Sequence, residues 1–485
     1  MKHNIVLLQP GIGDMDMFRD RPTPPLGPLA AAAVICREME VRLVDQRVER
    51  DWRAALAAAI DGGTVLVGLT AMTGRMIFHA LEMAREARRL TAAPLVWGGI
   101  HASLLPETTL AHELADYVVE GEGELALAEL ARRLAAGTDA AGIPGVWTKK
   151  DGLPLPPERR DLLEIGSLPM AAYHLAGMER YAQTYKGRRM FFYQSGRGCP
   201  CRCAYCYNRA YNRGRLREKT AERALAEIRE LRGRYDFSLV YFLDDNFFID
   251  QRRAMAILAG LKEMGLGSVL QGVDIETLAR LTDADLDFLE SAGVVRLAVG
   301  VESGVDRVRR DVLNKAGDLR LAREQLARFR GRRIDVLCSL IVGLPTETPA
   351  EMRASMDFGL WILDLGPNFR IPQFYIFSPY PGTEIYDRLL KDGVRFPSRL
   401  EEWGRYEWDT SHMHAGEPGL KDFLERACFV SRFLDRKMDD YGAGSALLRA
   451  LYNMYRPVAR FRLKNNFLRP LPERLAYEAL KSLRK

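Results

Sequence analysis

The sequence contains no long uninterrupted run of apolar residues. No stretch approaches the roughly 18 to 20 apolar residues that a membrane-spanning helix requires. The apolar start, residues 5–8, is interrupted at once by Gln9, Pro10 and Gly11. It is therefore too short for a secretory signal and instead predicts a first β-strand. Without an export signal, we expect a cytoplasmic protein.

The sequence also lacks a strong excess of either sign of charge. The 70 Lys and Arg residues against 64 Asp and Glu give a net charge of only +6 over 485 residues. This excess is too mild to indicate nucleic-acid binding, so we expect no nucleic-acid partner. The balance of 47% apolar and 28% charged residues is typical of a soluble globular protein, and the length predicts two or three domains.

Cysteine is rare, with seven in the chain and only Cys36 before residue 199. In a cytoplasmic protein, clustered cysteines bind metals or act in catalysis more often than they form disulfides. Cys199, Cys203 and Cys206 follow a Gly-x-Gly turn with the spacing C-x3-C-x2-C. A structural zinc site and a fully ligated iron–sulfur cluster each take four protein ligands, so this set leaves one position open for a reacting molecule. A zinc site completed by a distant residue is the alternative.

This cysteine segment, with Tyr205 directly before the last cysteine, resembles the cluster loop of the radical S-adenosylmethionine (SAM) superfamily. The resemblance implies that Cys199, Cys203 and Cys206 hold irons of a [4Fe-4S] cluster, that its remaining iron chelates SAM, and that Tyr205 lies among the cofactor contacts. It also implies reductive cleavage of SAM to methionine and a 5′-deoxyadenosyl radical. Cys201 is interpreted as structural or incidental, with the capacity to replace Cys199 as a ligand.

Residues 4–135 alternate between short apolar strands and helical patterns. The strands are predicted at 5–9, 41–45, 64–69, 94–97 and 116–119. The alternation predicts an α/β fold with a doubly wound, Rossmann-like parallel sheet, whose ligand lies at the carboxyl ends of the strands.

The loops at those carboxyl ends, 70–74, 98–103 and 120–124, are rich in glycine, which lets the backbone approach a large ligand closely. Together with residues 23–28 they resemble the cobalamin (B12)-binding domain of one radical SAM branch. The Asp-x-His-x-x-Gly pattern of proteins that ligate cobalamin through a histidine is absent, so a domain that no longer binds the cofactor stays open. The resemblance implies cobalamin contacts from Thr70, Gly98, Gly99, His101, Glu120, Gly121 and Glu122.

A second series of strands, at 190–194, 239–243, 269–273, 295–300, 335–342 and 372–377, predicts a partial (β/α)6 barrel. In such barrels reactive residues collect at the C-terminal rim. Asp244 and Asp245 follow the second strand, Glu302 ends the fourth, and Ser339 and Ile341 lie on the fifth. The resemblance implies that these residues bind the amino group, the ribose and carboxylate, and the adenine of SAM.

The predicted domains are a Rossmann-like B12-binding domain over 1–140, a linker over 141–188, the radical SAM barrel over 189–395 and a mainly helical basic region over 396–485. From residue 445 onward, ten basic residues face two acidic ones and alternate with apolar residues. A basic amphipathic segment can lie on an anionic membrane or bind an acidic substrate. Alternatively, it caps the barrel with its apolar face and leaves its charges in water.

Together these features favour a cobalamin-dependent radical SAM enzyme, and within that class a C-methyltransferase that uses the 5′-deoxyadenosyl radical and methylcobalamin on an unactivated carbon. We expect a small-molecule or lipid-like substrate, a reductant such as flavodoxin or ferredoxin, and peripheral contact with the inner membrane face through the basic C-terminus. A cyclase or rearrangement enzyme with B12 is one alternative, and a non-catalytic iron–sulfur electron carrier or scaffold is another. A methylthiotransferase is disfavoured, because it needs three cysteines in its N-terminal domain.

Overall fold

The computed structural model describes residues 3–13, 21–442, 444, 446–474 and 477. Its first sheet has seven strands in the order β2-β1-β3-β4-β5-β6-β7, of which β1 to β5 are parallel. The strands are β1 (Asn4–Gln9), β2 (Glu40–Asp45), β3 (Thr64–Thr70), β4 (Leu95–Gly98), β5 (Tyr117–Val119), β6 (Val146–Lys150) and β7 (Leu153–Leu155). The helices between them are α1 (Leu26–Ile35), α2 (Trp52–Ala59), α3 (Met76–Leu90), α4 (Gly99–Leu104), α5 (Pro106–Leu110) and α6 (Gly123–Ala135).

Both faces of this sheet are covered, which explains why the four central residues of β1, 5–8, are all apolar. Val6 and Leu8 pack with Ile77 of α3 on one face, whereas Ile5 and Leu7 pack with α1 and α6 on the other. Alternate residues of a strand point to opposite faces, so both sets must be apolar when helices cover both sides. The predicted Rossmann-like fold is confirmed.

The hairpin β6–β7 extends this sheet within a segment that the sequence interpretation treated as linker. Asp151 and Gly152 both have positive φ, +52° and +80°, as the two central residues of a type I′ turn require. An Asp-Gly pair between two short strands is the sequence signal for such a turn, and proline density obscured it. Pro154 is tolerated because β7 is an edge strand.

The second sheet is an open, partial barrel. Its order is β16-β15-β14-β13-β12-β9-β8, with β17 also beside β15, and all pairs are parallel except β8–β9. A separate antiparallel pair, β10–β11, closes the cysteine loop at its base. The strands are β8 (Gln183–Tyr185), β9 (Arg188–Tyr193), β10 (Gly196–Arg197), β11 (Arg217–Glu218), β12 (Leu239–Phe242), β13 (Gly267–Asp274), β14 (Val294–Glu302), β15 (Asp335–Val342), β16 (Phe369–Arg370) and β17 (Phe374–Ile376).

Helices follow the barrel strands as the sequence predicts. Thr220 caps α8 by accepting a hydrogen bond from the amide of Arg223. The sixth strand, predicted at 372–377, corresponds to β17 (Phe374–Ile376). A two-residue strand, β16 (Phe369–Arg370), precedes it, and Pro372, which has no N–H for a ladder bond, lies between the two. The helices are α7 (Asn208–Tyr211), α8 (Ala221–Arg234), α9 (Gln251–Glu263), α10 (Ile275–Arg280), α11 (Asp283–Ser291), α12 (Leu319–Ala327), α13 (Pro349–Asp364) and α14 (Glu384–Lys391).

The C-terminal part packs on the outside of the barrel. It contains α15 (Pro418–Ser431), α16 (Lys437–Asp440) and α17 (Ala446–Lys464). Ser431 at the end of α15 accepts a hydrogen bond from the amide of Phe374, which fixes α15 against β17. No described helix combines the length and apolarity needed to cross a bilayer. The basic residues Lys481, Arg484 and Lys485 lie outside the described residues.

Candidate active site

The cysteine loop leaves the carboxyl end of β9, and its turn depends on Gly198. Gly198 has φ +90°, and a Cβ there would lie 1.9 Å from the carbonyl oxygen of Arg215. The Gly198 amide donates to Asp245 at 2.7 Å, and the Cys199 amide donates to the Asn208 side chain at 3.1 Å. The first predicted ligand therefore sits on a backbone that only glycine permits.

The thiols of Cys199, Cys203 and Cys206 are partly buried on this loop. Burial raises the pKa of Cys203 to about 11, although the charge of Lys315 opposes the shift, and burial raises the pKa of Cys206 to about 12. A coordinating metal deprotonates such thiols and supplies the missing charge. Among the described residues no three His, Cys, Asp or Glu side chains converge as ligands of a single ion. Thiolates of a four-iron cluster each bind a different iron and need not converge on one point.

Cys201 is exposed and points to the barrel rim. Its thiol donates to the carboxylate of Asp274 at 3.6 Å, at the end of β13. A hydrogen bond also joins the side chains of Cys199 and Cys201. This bond lowers the pKa of Cys199 and raises the pKa of Cys201. Sequence reasoning missed Asp274, although an acidic residue at a predicted strand end was the available signal.

The paired carboxylates after β12 have different surroundings. Asp244 is buried and accepts hydrogen bonds from the amide and the hydroxyl of Ser195. Burial raises its pKa, against the opposing effect of those bonds. Asp245 is partly exposed and accepts from Gly198 through one oxygen. Both carboxylates therefore hold the start of the cysteine loop, and of the two Asp245 is the one that remains partly exposed at the rim.

Glu302 joins the cysteine loop to the far side of the rim. Tyr205 donates its hydroxyl to one carboxylate oxygen at 2.9 Å, and Ser339 donates to the other at 3.2 Å. Glu302 is 6% exposed and has φ +70°, a left-handed conformation that non-glycine residues rarely adopt. Lys315 lies 3.9 Å away and donates to the carbonyl of Gly300. Strain retained at a rim position is typical of a functional site.

The remaining predicted rim residue, Ile341, lies on β15 and packs against an apolar cluster. The cluster includes Phe377 and Leu344, and Tyr205 packs against it as well. This gives the rim an apolar wall beside the Glu302 carboxylate, which suits a ligand with a polar chain and a flat ring.

The glycine-rich loops meet at the carboxyl end of the first sheet. Gly99 has φ +85°, and a Cβ there would lie 2.5 Å from the hydroxyl oxygen of Thr70. Gly121 has φ +77° and open space around the position of a Cβ. Gly99 and Gly98 therefore pack against the protein itself, whereas the open side of Gly121 lets a large planar ligand approach the backbone.

His101 and Glu120 are held by protein partners at this edge. The Nδ1 atom of His101 lies 2.8 Å from the Thr73 hydroxyl, while its Nε2 atom is buried and has no hydrogen-bond partner within the described part of the chain. Burial lowers the pKa of His101 to about 4, so the ring is neutral at pH 7. Glu120 accepts from the indole of Trp147 at 2.7 Å.

Glu122 belongs to a buried ionic network between the two sheets. It pairs with Arg197 of β10 at 2.8 Å, and Arg217 of β11 donates to its other oxygen. Arg197 also pairs with Glu124 at 2.7 Å. The charges of Arg197 lower the pKa of Glu122 despite its burial. Sequence reasoning missed both arginines, because nothing local marks them.

A segment after the barrel also bridges the sheets. The helical turn Leu400–Arg405 buries Trp403, whose ring centroid lies 5.9 Å from that of His101. Glu407 accepts from the amide of Arg75 at 2.6 Å, and the Gly74 amide donates to the Trp403 carbonyl. This bridge covers one side of the junction between the two carboxyl edges.

The donor sets therefore fit two groups. Three thiols on a loop that depends on Gly198 suit an iron–sulfur cluster with one open iron, and the open backbone at Gly121 suits a corrinoid. Both lie at carboxyl ends of parallel strands, where ligands of α/β sheets bind. The fold and the site define an α/β radical enzyme with a separate cofactor domain.

Comparison with known proteins agrees with this class. The model of the Radical SAM superfamily matches residues 193–359, and the model of the B12 binding domain matches residues 20–131. The chain belongs to the radical SAM enzymes that carry an N-terminal B12-binding domain.

Several relatives of this chain are named as methyltransferases, and one is named as a cyclase. An uncharacterized methyltransferase of Pyrococcus horikoshii is 27% identical over 419 residues, 86% of this chain and 89% of the relative. Cytidylyl-2-hydroxyethylphosphonate methyltransferase of Streptomyces wedmorensis is 25% identical over 76% of this chain and 74% of its own length. The fold is that of the methyltransferase TsrM from Kitasatospora setae, solved with cobalamin and a [4Fe-4S] cluster: the TM-score is 0.64 at 20% identity, over 82% of this chain and 76% of TsrM.

Proposed function

We propose that this protein is a cobalamin-dependent radical SAM C-methyltransferase that methylates an unactivated carbon of a small-molecule or lipid-like substrate. The observation that supports the proposal most is the contact between the cysteine loop and the first sheet. Tyr211, which follows the last cysteine, donates its hydroxyl to the carbonyl of Gly121 at 2.9 Å. The two proposed cofactor sites are therefore adjacent, as transfer of a group between them requires.

Each rim residue has a task in this proposal. Cys199, Cys203 and Cys206 hold three irons, Asp245 accepts from the amino group of SAM, and Glu302 with Ser339 orients its ribose and carboxylate. Ile341 contacts the adenine. When bound, the cluster supplies the electron that cleaves the SAM sulfonium, and the corrinoid carries the methyl group between SAM and the substrate.

The bridge between the sheets excludes water from the proposed reaction. A carbon radical must be kept from solvent and from free thiols until it is methylated. Trp403 and Tyr406 pack together with ring centroids 4.8 Å apart at the junction. The bridge therefore separates the radical from bulk water on this side.

The stoichiometry of SAM products tests this function. The anaerobically reconstituted protein is incubated with SAM, dithionite and extract of its source cells, and both SAM products are quantified. Methylation by this route consumes two SAM molecules, so S-adenosylhomocysteine and 5′-deoxyadenosine accumulate in about equal amounts. A cyclase or rearrangement enzyme forms 5′-deoxyadenosine without S-adenosylhomocysteine, and an electron carrier or scaffold forms neither.

The cysteines provide matched variants for the same assay. Cys206→Ala removes a proposed ligand and should abolish 5′-deoxyadenosine formation, whereas Cys201→Ala, on the same loop, should retain it. Zinc in place of iron and sulfide in oxygen-free protein, or turnover by Cys206→Ala, would refute the proposal. A cluster without corrinoid bands after reconstitution would refute the methyl-transfer step alone.

A flavodoxin or ferredoxin is the proposed electron donor. Arg159, Arg202, Arg209 and Arg213 line an open cavity of about 630 Å³ beside Cys201. Acidic electron carriers are attracted to such a surface, and proximity to the cluster loop suits electron transfer. Arg202→Gln with Arg209→Gln should slow turnover with flavodoxin but not with dithionite. Equal loss with both reductants would instead indicate an anionic substrate.

We also propose the cytoplasm as the location of the protein. None of the seven cysteines, all of which lie in the described part of the chain, forms a disulfide, as a reducing compartment allows. Contact with the inner membrane face depends on α17. Fractionation of source cells tests this: recovery in the periplasm would contradict it.

A further inference from the structure

The outward face of α17 is entirely apolar. The exposed residues between 446 and 463 recur singly or in adjacent pairs at intervals of three or four positions and form one stripe along the helix. Leu447 is 71% exposed, Met454 73% and Phe461 60%. The members of this apolar stripe are Ala446, Leu447, Ala450, Leu451, Met454, Pro457, Val458 and Phe461.

The opposite face fixes the orientation of the helix. Tyr452, Ala459 and Leu463 are buried, and the Tyr452 hydroxyl donates to the carbonyl of Arg432. Arg353 of α13 donates to the last carbonyls of the helix, including that of Leu463. Because α17 is held in this way, the stripe cannot turn inward. Large exposed apolar patches of this kind mark interaction surfaces.

Positive charge accompanies the stripe. The helix contains five basic residues and no acidic one. Arg449, Arg456 and Arg460 recur at helical spacing and are partly exposed, and Lys464 is exposed at the C-terminal end. Arg460 pairs with Asp364, and the buried Arg462 pairs with Glu473. The helix itself carries no acidic residue to balance Arg449, Arg456 and Lys464. The surface thus combines an apolar strip with excess cation.

We propose that α17 docks on a membrane surface that contains anionic lipid. The apolar stripe enters the region between headgroups and acyl chains, and the basic side chains contact lipid anions. A second copy of the chain fits less well, because a two-fold contact through the stripe would bring two cationic edges together. This inference concerns attachment and holds whatever reaction the barrel performs.

Vesicle flotation of the full-length holoenzyme tests the apolar part. We expect binding to phosphatidylcholine vesicles that contain phosphatidylglycerol and little binding to phosphatidylcholine alone. The double variant Leu451→Glu, Met454→Glu should bind at least about tenfold more weakly, because two apolar side chains no longer leave water. Leu153→Glu is the matched control: Leu153 is 70% exposed on the β6–β7 hairpin and should not matter.

A second pair of variants tests the charge. Arg456→Gln and Lys464→Gln should each lower the partition coefficient by about fivefold on anionic vesicles, and added salt should do the same. Arg333→Gln, at an 84% exposed side chain outside α17, should leave binding unchanged. All changed residues are at least partly exposed, so the thermal midpoint should stay near that of the wild type.

Two results would overturn the inference. One is equal flotation with neutral and anionic vesicles, or none with either. The other is a dimer in light scattering that Leu451→Glu, Met454→Glu converts to a monomer without any vesicle binding, which would make a second copy the occupant of the stripe.

Discussion

The hydroxyl of Tyr205 donates to the carboxylate of Glu302 across 2.9 Å, and this bond joins the cysteine loop to the end of β14. Tyr205 also packs against the apolar wall of the rim that contains Phe377 and Leu344. The hydroxyl of Ser339 donates to the second carboxylate oxygen. The Glu302 side chain is therefore held in one orientation, although its backbone is left-handed. Such a fixed carboxylate is prepared to receive a ligand.

Tyr205→Phe keeps the ring and removes this hydrogen bond. Because a hydrogen bond to a charged group contributes about 1.5–3 kcal/mol, we expect SAM affinity to fall at least tenfold while iron and sulfide content stays the same. Calorimetric titration of reconstituted protein with SAM measures the change. Tyr207→Phe, on the same loop, is the control. Loss of iron from Tyr205→Phe would show instead that the hydroxyl supports the loop rather than the SAM site.

Gly198→Ala should prevent assembly of the metal site. The added methyl group would overlap the carbonyl of Arg215, and alanine also resists φ +90°. Gly214 has φ +66° with open space around it, so Gly214→Ala carries the conformational cost, roughly 1–2 kcal/mol, without the overlap. Iron and sulfide analysis after anaerobic reconstitution distinguishes them. Equal iron in both variants would contradict the steric argument.

Arg197→Met leaves Glu122 and Glu124 buried with fewer cationic partners. Removing one partner of a buried ion pair costs about 3–5 kcal/mol, so unfolding in denaturant should begin markedly earlier. Arg132→Gln, which breaks the exposed pair with Glu38, should change little. Limited proteolysis within 141–188 should also accelerate only in Arg197→Met. Wild-type behaviour of that variant would mean that the network does not join the sheets.

His101 makes the apoprotein sensitive to acid. Its pKa is about 4 in the folded state against an ordinary value of 6.5, so the unfolded chain takes up the proton first as the pH falls. The group therefore costs about 2 kcal/mol of stability between pH 7 and pH 5. His101→Gln should remove that part of the pH dependence in denaturant unfolding, whereas His174→Gln, at an exposed site, should not. Identical pH profiles for wild type and His101→Gln would contradict the burial argument.

Local signals in the sequence were enough for most of the fold. The alternation of short apolar segments with helical patterns predicts most strands of both sheets, and the cysteine spacing predicts the cluster loop. Both signals depend on residues that are close in the chain. The β6–β7 hairpin was missed although Asp151 and Gly152 carry its turn signal. The short strand β16, which precedes the predicted strand at 372–377, was also missed, because two residues show no periodicity.

Contacts between distant residues were beyond sequence reasoning. The pairing of Arg197 with Glu122 spans 75 positions, and that of Glu407 with Arg75 spans 332. Nothing in the composition of either segment marks such a pairing, since it depends on how two sheets meet. The same limit left Asp244 and Asp245 equivalent in the sequence, although only Asp244 is tied to Ser195.

The buried arginines between the sheets have a consequence for protein engineering. In a chimera that joins this barrel to the B12-binding domain of another family member, Arg197 and Arg217 would be buried against a surface without matching carboxylates. We therefore expect such a chimera to fold only when acidic residues equivalent to Glu122 and Glu124 are kept in the new domain.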